Sequence, residues 1–284
     1  MTHEHPSPPP PQSSLPQHPS EPALFAPTSL LVLIGVMIGL HTYRVFALGL
    51  FEDEDIRFLD ITAFVPARFT LWAGLVSPEQ VLADIGMAAP DLKALKFSLF
   101  QTFVLDGDTA LWTVVTYSFL HASWEHVIFN CLWMLAFGSP LMKRFKTMRF
   151  MLFFAVTAAA AAVFHAAFNL YDVSVLVGAS GGVSGLTAAA LRFAVGPTGF
   201  RAGSETWSKP AMTLSAALRD KRVLVFIAVW FGINLLAGLG VSPGGGGDLR
   251  IAWEAHVGGF LAGLVLFSIF DPIRLNQQHS QSRA

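Results

Sequence analysis

The sequence predicts an all-α membrane protein built as a bundle of six transmembrane helices. Of its 284 residues, 53% are hydrophobic and 13% are charged, and the mean hydropathy is +0.54. The charged residues gather in a few places and leave apolar runs close to the ~20 residues that a helix needs to cross a bilayer. Because a backbone in lipid must satisfy its own hydrogen bonds, runs of this length are expected to be helices.

Six apolar runs follow one another along the chain, and each is predicted to cross the membrane. Their approximate ranges are 30–50, 111–137, 148–169, 180–195, 222–239 and 251–270. The fourth run is short and rich in Gly and Ala, which predicts that its neighbours enclose it. Residues 29–272 therefore form the predicted six-helix domain.

The segments outside these runs differ in character. Residues 1–28 hold nine of the 17 prolines and no Lys or Arg, a composition that predicts a disordered tail rather than a signal or transit peptide. Residues 273–284 are predicted to be a short cytoplasmic tail. Within the long loop at 51–110, two stretches at 64–75 and 91–104 are expected to form short amphipathic helices. The sequence leaves open whether they lie at the membrane surface or in an ordinary folded loop.

Lys and Arg side chains indicate the orientation of the bundle. They crowd the link between spans two and three, which includes Arg144, and the connection between spans four and five, which follows Arg192. The short loops before spans four and six hold only Arg250. The positive-inside rule therefore predicts that both basic connections and both termini are cytoplasmic. The loop at 241–250, with its "GGGG" run, then lies outside and is flexible enough to cap the outer face.

Polar residues in three of the spans are predicted to lie at one depth. His121, His126 and Asn130 belong to span two, Ser180 opens span four, and His256 lies in span six. These three spans all run inward from the outer side, so at ~1.5 Å rise per residue their polar groups lie near the outer ends. Ionisable and strongly polar groups are costly inside a membrane, and this predicts a functional site.

These residue types fit the chemistry of a nucleophilic serine. His256 is a suitable base for Ser180, since a serine needs a base within hydrogen-bond reach to attack a carbonyl group. The free N–H groups at the start of the helix of Ser180 favour an oxyanion. His126 and Asn130 are four residues apart, so they share a helix face and can add two donors. Glu254 is two residues from His256 and is not expected to act as a third member.

Two GxxxG pairs predict that the fourth and sixth spans touch. Gly181 and Gly185 form one pair, and Gly259 and Gly263 form the other. Small residues at this spacing let helix backbones approach closely. The contact is expected to bring Ser180 toward the helix that carries His256.

Metal and cofactor chemistry is not predicted. His121 and His126 are five residues apart, which is poor spacing for one metal ion, and "WEHVIFN" is not the HExxH zinc motif. A single serine in a Gly/Ala run, or a single histidine in a span, is usually structural. His165 and Asn169 near the end of span three are interpreted in that way. Only the joint occurrence of Ser180, His256, His126 and Asn130 favours a hydrolase. The net charge of −1 gives no indication of a nucleic-acid partner.

The quoted motifs resemble those of the rhomboid family of intramembrane serine proteases. "GASG" at 178–181 is similar to the family's GxSG motif, and "HASWEHVIFN" at 121–130 to its HxxxxHxxxN pattern. "AHVGG" at 255–259 is similar to the histidine motif of the last core helix. The resemblance covers about residues 30–270. It implies a six-helix rhomboid-like bundle that cuts transmembrane segments of membrane-protein substrates near the outer face, without a cofactor, in a bacterial inner membrane.

The resemblance also implies a role for each matched residue. Ser180 corresponds to the nucleophile and His256 to the general base. The oxyanion hole would be formed by the backbone N–H of Ser180 with the side chains of His126 and Asn130. The supporting positions are His121, Gly178 and Gly181.

The chain also departs from the family pattern. Ser184 stands where many relatives carry an aromatic residue that packs against the base histidine, and Thr113 and Met142 replace a frequent arginine and glutamate. Two alternative functions stay open from the sequence. One is a catalytically silent member that binds transmembrane clients, and the other is a transporter with a histidine proton relay, although no inverted repeat is recognisable.

Overall fold

The structure is a computed structural model that describes residues 26–50, 52–105, 110–195, 206–208, 210–239 and 251–273. Most of the predicted N-terminal tail, nearly all of the C-terminal tail and the predicted cap at 241–250 lie outside the described residues. The described part is helical apart from one isolated β-bridge. Its α-helices are α1 (Thr28–Phe46), α2 (Glu52–Thr62), α3 (Pro66–Trp72), α4 (Pro78–Met87), α5 (Pro90–Phe100), α6 (Thr113–Thr116), α7 (Trp124–Trp133), α8 (Ser139–Phe168), α9 (Ser180–Ala194), α10 (Leu214–Ala217), α11 (Lys221–Gly238) and α12 (Trp253–Phe270).

Four helices of the described residues are long and apolar enough to cross a membrane. They are α1, the helical segment Trp124–Phe168, α11 and α12. The second of these has 45 residues and includes α7, the π-helical turn Met134–Gly138 and α8. Lys146 interrupts it with φ 64°, a left-handed value that breaks the helical hydrogen-bond ladder. The break falls in the basic link predicted between spans two and three.

The predicted start of the second span is wrong. The apolar run begins near Leu111, but the long helix begins only at Trp124. Residues 113–119 form a separate short helix, and the chain is extended at Leu120 and Ser123. Ser123 caps the new helix, since its Oγ accepts a hydrogen bond from the backbone N–H of His126 at 3.2 Å. His121 therefore lies in the turn before the helix rather than within it.

Helix α9 forms the centre of the bundle, and its predicted enclosure is confirmed. Every residue from Gly181 to Ala194 is buried, between α8 on one side and α12 on the other. The predicted contact between the GxxxG pairs is also confirmed. A Cβ atom on Gly259 would lie 1.9 Å from the carbonyl oxygen of Gly181, and one on Gly263 would lie 2.2 Å from that of Gly185. Only glycine allows this approach of the two backbones.

Buried charges join the helices at the end of the bundle opposite Ser180. Arg144 makes a two-pronged ion pair with Asp271 at 2.8 and 2.9 Å, and the two side chains are 0% and 3% exposed. Arg192 donates to the carbonyl groups of Met212 and Leu264. In the sequence these arginines serve to predict the orientation of the bundle. In the structure their side chains also link α8, α9 and α12.

The long loop between α1 and α6 is folded against the bundle. It contains α2 to α5, of which α3 and α5 agree in position with the two predicted amphipathic helices. Arg68 of α3 is buried and donates to Asp60 at 2.8 Å and to the carbonyl oxygen of Ala63 at 2.9 Å. Phe64 pairs through its backbone with Leu176, close to the start of α9. The loop therefore supports the segment that leads to Ser180.

Candidate functional site

The segment before Ser180 is held by hydrogen bonds to Phe64, Tyr117 and His121. Leu176 exchanges hydrogen bonds with Phe64 at 2.7 and 3.3 Å. The N–H of Gly178 donates to the carbonyl oxygen of Tyr117 at 3.0 Å. The N–H of Ala179 faces Nε2 of His121 at 3.5 Å. His121 thus supports the turn into α9, and the first turn of that helix is held in place.

Gly178 lies between the ring of His126 and the hydroxyl group of Ser180. Its φ of +123° is a conformation that residues with a side chain rarely adopt. A Cβ atom here would lie 2.6 Å from Cε1 and 2.7 Å from Nε2 of His126, and 3.7 Å from Oγ of Ser180. His126 and Ser180 are both partly exposed. The absence of a side chain on Gly178 therefore leaves room for the imidazole of His126 near the hydroxyl group of Ser180.

Asn130 lies one turn beyond His126 on α7 and is 5% exposed. Its amide nitrogen donates to the carbonyl oxygen of His126 at 2.9 Å. A primary amide has two N–H donors, so the second remains for another acceptor. The N–H groups at the start of α9, a helix of 15 residues, have no partners within the helix. This arrangement is suited to stabilising negative charge beside Ser180.

The backbone contact between α9 and α12 brings the neighbours of Ser180 and His256 together. A Cβ atom on Gly181 would lie 3.6 Å from the carbonyl oxygen of Ala255. Within the described residues, no hydrogen bond joins Ser180 Oγ to His256. Such bonds between nucleophile and base are often long or poorly aligned before a substrate binds. The structure thus aligns the two helices without a hydrogen bond between Ser180 and His256.

Sequence reasoning missed one residue at this site. Nδ1 of His256 forms a hydrogen bond with Oδ1 of Asn234 on α11. The amide nitrogen of Asn234 donates to the carbonyl oxygen of Trp230 at 2.7 Å. A signal was present, since Asn234 is the one strongly polar residue in the apolar run "WFGINLLAG", and polar groups at such positions mark functional sites. The register of α11 against α12 could not be derived from the sequence.

Position 184, where the resemblance leads us to expect an aromatic residue, is occupied by a serine that makes a different contact. Ser184 is buried, and its hydroxyl group donates to the carbonyl oxygen of Ser180 at 2.7 Å. Across the described ranges, no aromatic ring packs face to face or edge to face with His256. Glu254 pairs instead with His165, whose Nδ1 lies 3.4 Å from the carboxylate. Among the described residues, the imidazole of His256 is therefore hydrogen-bonded to Asn234 and not to a carboxylate.

The histidines near Ser180 pack against one another rather than around a common point. The rings of His121 and His126 meet edge to face, with centroids 5.1 Å apart. Among the residues that the structure describes, no three His, Cys, Asp or Glu side chains come together in a group that could hold a metal ion.

Comparison with known proteins identifies the family of the chain. Residues 108–271 match the family model of the Rhomboid domain. Over 157 residues the chain is 31% identical to Rhomboid protease GlpG of Yersinia pestis (strain Pestoides F) and to Rhomboid protease GlpG of Yersinia pseudotuberculosis serotype O:3 (strain YPIII). The match covers 55% of this chain and 47% of each relative, so it spans about half the length of these curated proteins. Because the domain match extends over more than half of the chain and its long helices are apolar, the chain belongs to the rhomboid family of membrane proteins.

Proposed function

We propose that this chain is a serine endopeptidase that hydrolyses peptide bonds in or next to transmembrane segments of membrane-protein substrates. One observation carries the proposal. Ser180 Oγ and the imidazole of His126 flank a glycine with φ +123°, at the start of a helix whose backbone touches the helix of His256. The similarity to the two GlpG proteases supports the same assignment. A packing serine would not require this left-handed turn or the close approach of the His126 ring.

The reaction follows from the chemistry of these groups. Ser180 Oγ forms a bond to the scissile carbonyl carbon while its proton moves to Nε2 of His256. The carbonyl π electrons move onto oxygen, where the N–H of Ser180 and the side chains of His126 and Asn130 stabilise the charge. His256 then passes the proton to the leaving amine nitrogen as the C–N bond breaks. A water molecule, deprotonated by the same imidazole, hydrolyses the acyl-enzyme and restores Ser180.

We also propose a membrane topology for this chemistry. The six crossing segments are α1, the two arms of the helix broken at Lys146, α9, α11 and α12. Both termini face the cytoplasm, so the site at the start of α9 opens toward the outer side of a bacterial inner membrane. Water reaches Ser180 from that side. The partners are the lipid bilayer and transmembrane protein substrates.

Activity with matched serine variants tests the assignment. The full chain, purified in detergent and in liposomes, is given a fluorogenic transmembrane substrate and, separately, a fluorophosphonate probe. We expect cleavage and labelling by wild type, neither by Ser180→Ala, and no cleavage by His256→Ala. Ser184→Ala is the control, because it removes a buried hydroxyl group of the same helix one turn away. Equal labelling of wild type and Ser180→Ala, or no cleavage by a folded wild-type protein, would refute the proposal.

A further inference from the structure

The seam between α11 and α12 contains one polar contact among apolar ones. On α11, Trp230, Asn234 and Gly238 are four residues apart, so they share one face of the helix. The three residues of α12 that they meet are, in the same order, Phe260, His256 and Trp253.

The two apolar contacts fix the register of this seam. The rings of Trp230 and Phe260 stack with centroids 4.5 Å apart. At the other end, a Cβ atom on Gly238 would lie 2.5 Å from Cδ1 of Trp253, so the indole ring rests on the glycine backbone. Asn234 stands midway between these contacts. Because the helices are held on both sides of Asn234, its amide lies at a fixed position opposite the imidazole of His256.

We propose that Asn234 is the positioning residue of His256, an inference that rests on the proposed function of the Ser180–His256 pair. Its amide fixes both the orientation of the imidazole and the nitrogen that carries the proton. No residue on α9 or α8 makes this contact within the described part of the chain. The residue is a positioning residue because it touches the base and not the reacting atoms.

Hydrogen-bond donors and acceptors determine the tautomer. The amide atom that faces the carbonyl oxygen of Trp230 at 2.7 Å must be nitrogen, because two oxygens without a proton would repel one another. The other amide atom, Oδ1, then faces Nδ1 of His256 and can only accept. Nδ1 must therefore carry the proton, which leaves the lone pair on Nε2. This is the tautomer that can take a proton from a serine.

The contact persists through the proposed proton transfer. When the proton of Ser180 Oγ moves to Nε2 of His256, the ring becomes an imidazolium with both nitrogens protonated. Nδ1–H continues to donate to Oδ1 of Asn234, and no proton passes to the amide. The amide dipole stabilises the positive ring, although less than a carboxylate would. A neutral partner also avoids an extra charge within the membrane.

A purely structural role would predict different behaviour. Interhelical hydrogen bonds of Asn side chains can also act only as contacts between membrane helices. The chain offers a control for the loss of one such hydrogen bond, since the amide nitrogen of Asn169 at the end of α8 lies 3.2 Å from Nδ1 of His165 on the same helix. Loss of either asparagine removes one amide–imidazole hydrogen bond. Only Asn234 engages the base.

The test combines kinetics with direct observation of the ring. Full-length wild type, Asn234→Leu, Asn234→Asp and Asn169→Leu are reconstituted with a transmembrane substrate, and kcat and KM are measured separately. We expect Asn234→Leu to lower kcat roughly 10-fold to 100-fold with little change in KM, because a fraction of the imidazole adopts the wrong tautomer. Asn234→Asp keeps an acceptor oxygen, and its protonated carboxyl group can donate to the carbonyl oxygen of Trp230, so this variant should recover much of that loss. Asn169→Leu should retain the wild-type kcat.

Nitrogen-15 NMR of histidine-labelled protein reports on the tautomer without any need for activity. The signals of His256 are assigned by their loss in His256→Ala, and wild type should show a protonated Nδ1 and an unprotonated Nε2. A protonated Nε2 in neutral wild-type protein would overturn the inference even if Asn234→Leu fails to fold. Equal kcat in Asn234→Leu and Asn169→Leu would overturn it too. Failure of the proposed function is distinct, since wild type itself would then not cut while the NMR result still stands.

Discussion

Substitution of Gly263 by alanine would place a methyl group against the backbone of the central helix. The new Cβ would lie 2.2 Å from the carbonyl oxygen of Gly185 and 2.6 Å from its Cα. These neighbours are backbone atoms that cannot rotate away. An ordinary carbon–oxygen contact is near 3.4 Å, so α9 and α12 must separate locally by about 1 Å.

This separation should reduce stability and activity together. Overpacking of this kind costs about 1–3 kcal/mol, and each kcal/mol lowers the Tm of a chain of this size by roughly 2–4 °C. Gly263 lies seven residues beyond His256, which is ~10 Å along the helix axis. A displacement near 1 Å at a catalytic base can reduce the rate by roughly 10²-fold. We therefore expect a lower Tm and a cleavage rate reduced by about 10-fold to 100-fold.

The assay compares this variant with a glycine substitution that meets no neighbour. An added methyl group on Gly35 of α1 would have nothing within 4 Å, so Gly35→Ala should be neutral or slightly stabilising. Thermal unfolding in detergent and cleavage of a transmembrane substrate are measured for both proteins. If Gly263→Ala has the same Tm as Gly35→Ala and cuts the substrate at the wild-type rate, the contact between α9 and α12 does not control the site.

Three further predictions concern other parts of the molecule. Gly178→Ala should lower the cleavage rate roughly 100-fold, since its methyl group would displace the ring of His126 and its φ of +123° disfavours a side chain. An unchanged rate would contradict the proposed use of that ring. Asp271→Leu should cost about 3 kcal/mol, seen as a lower Tm, because it removes the carboxylate that faces the buried Arg144. An unchanged Tm would show that this ion pair does not stabilise the fold. Ser123→Ala should cost about 1 kcal/mol, seen in the same unfolding measurement, because it removes the cap of α7.

Regular patterns made much of the fold predictable. The spacing of Gly181 and Gly185, and of Gly259 and Gly263, predicts the contact of α9 with α12, which leaves no room for a Cβ atom on Gly259 or Gly263. Small residues at this spacing have one strong consequence, namely close helix contact. The enclosure of α9 followed from its Gly and Ala content. The start of the second long helix was missed, because a continuous apolar run conceals the extended residues and the cap at Ser123.

Long-range partners were beyond the reach of the sequence. The ion pair between Arg144 and Asp271 joins residues 127 positions apart, and the contact between Asn234 and His256 joins two separate helices. Each depends on the rotation and register of whole helices, which follow from the packing of many side chains together. Motifs in the chain therefore pointed to Ser180 and its neighbours but not to the hydrogen-bond partner of His256.

The sequence by itself determined that this chain is a helical membrane protein, that it resembles the rhomboid family, and that Ser180, His126, Asn130 and His256 are the residues to test. These conclusions rest on local composition and spacing, which hydrophobicity and helix geometry translate directly into structure. Only the tertiary structure decided that Gly178 makes room for the ring of His126 and that the amide of Asn234 meets Nδ1 of His256. Such contacts depend on how separate helices approach and turn toward one another, and no single segment of the chain encodes them.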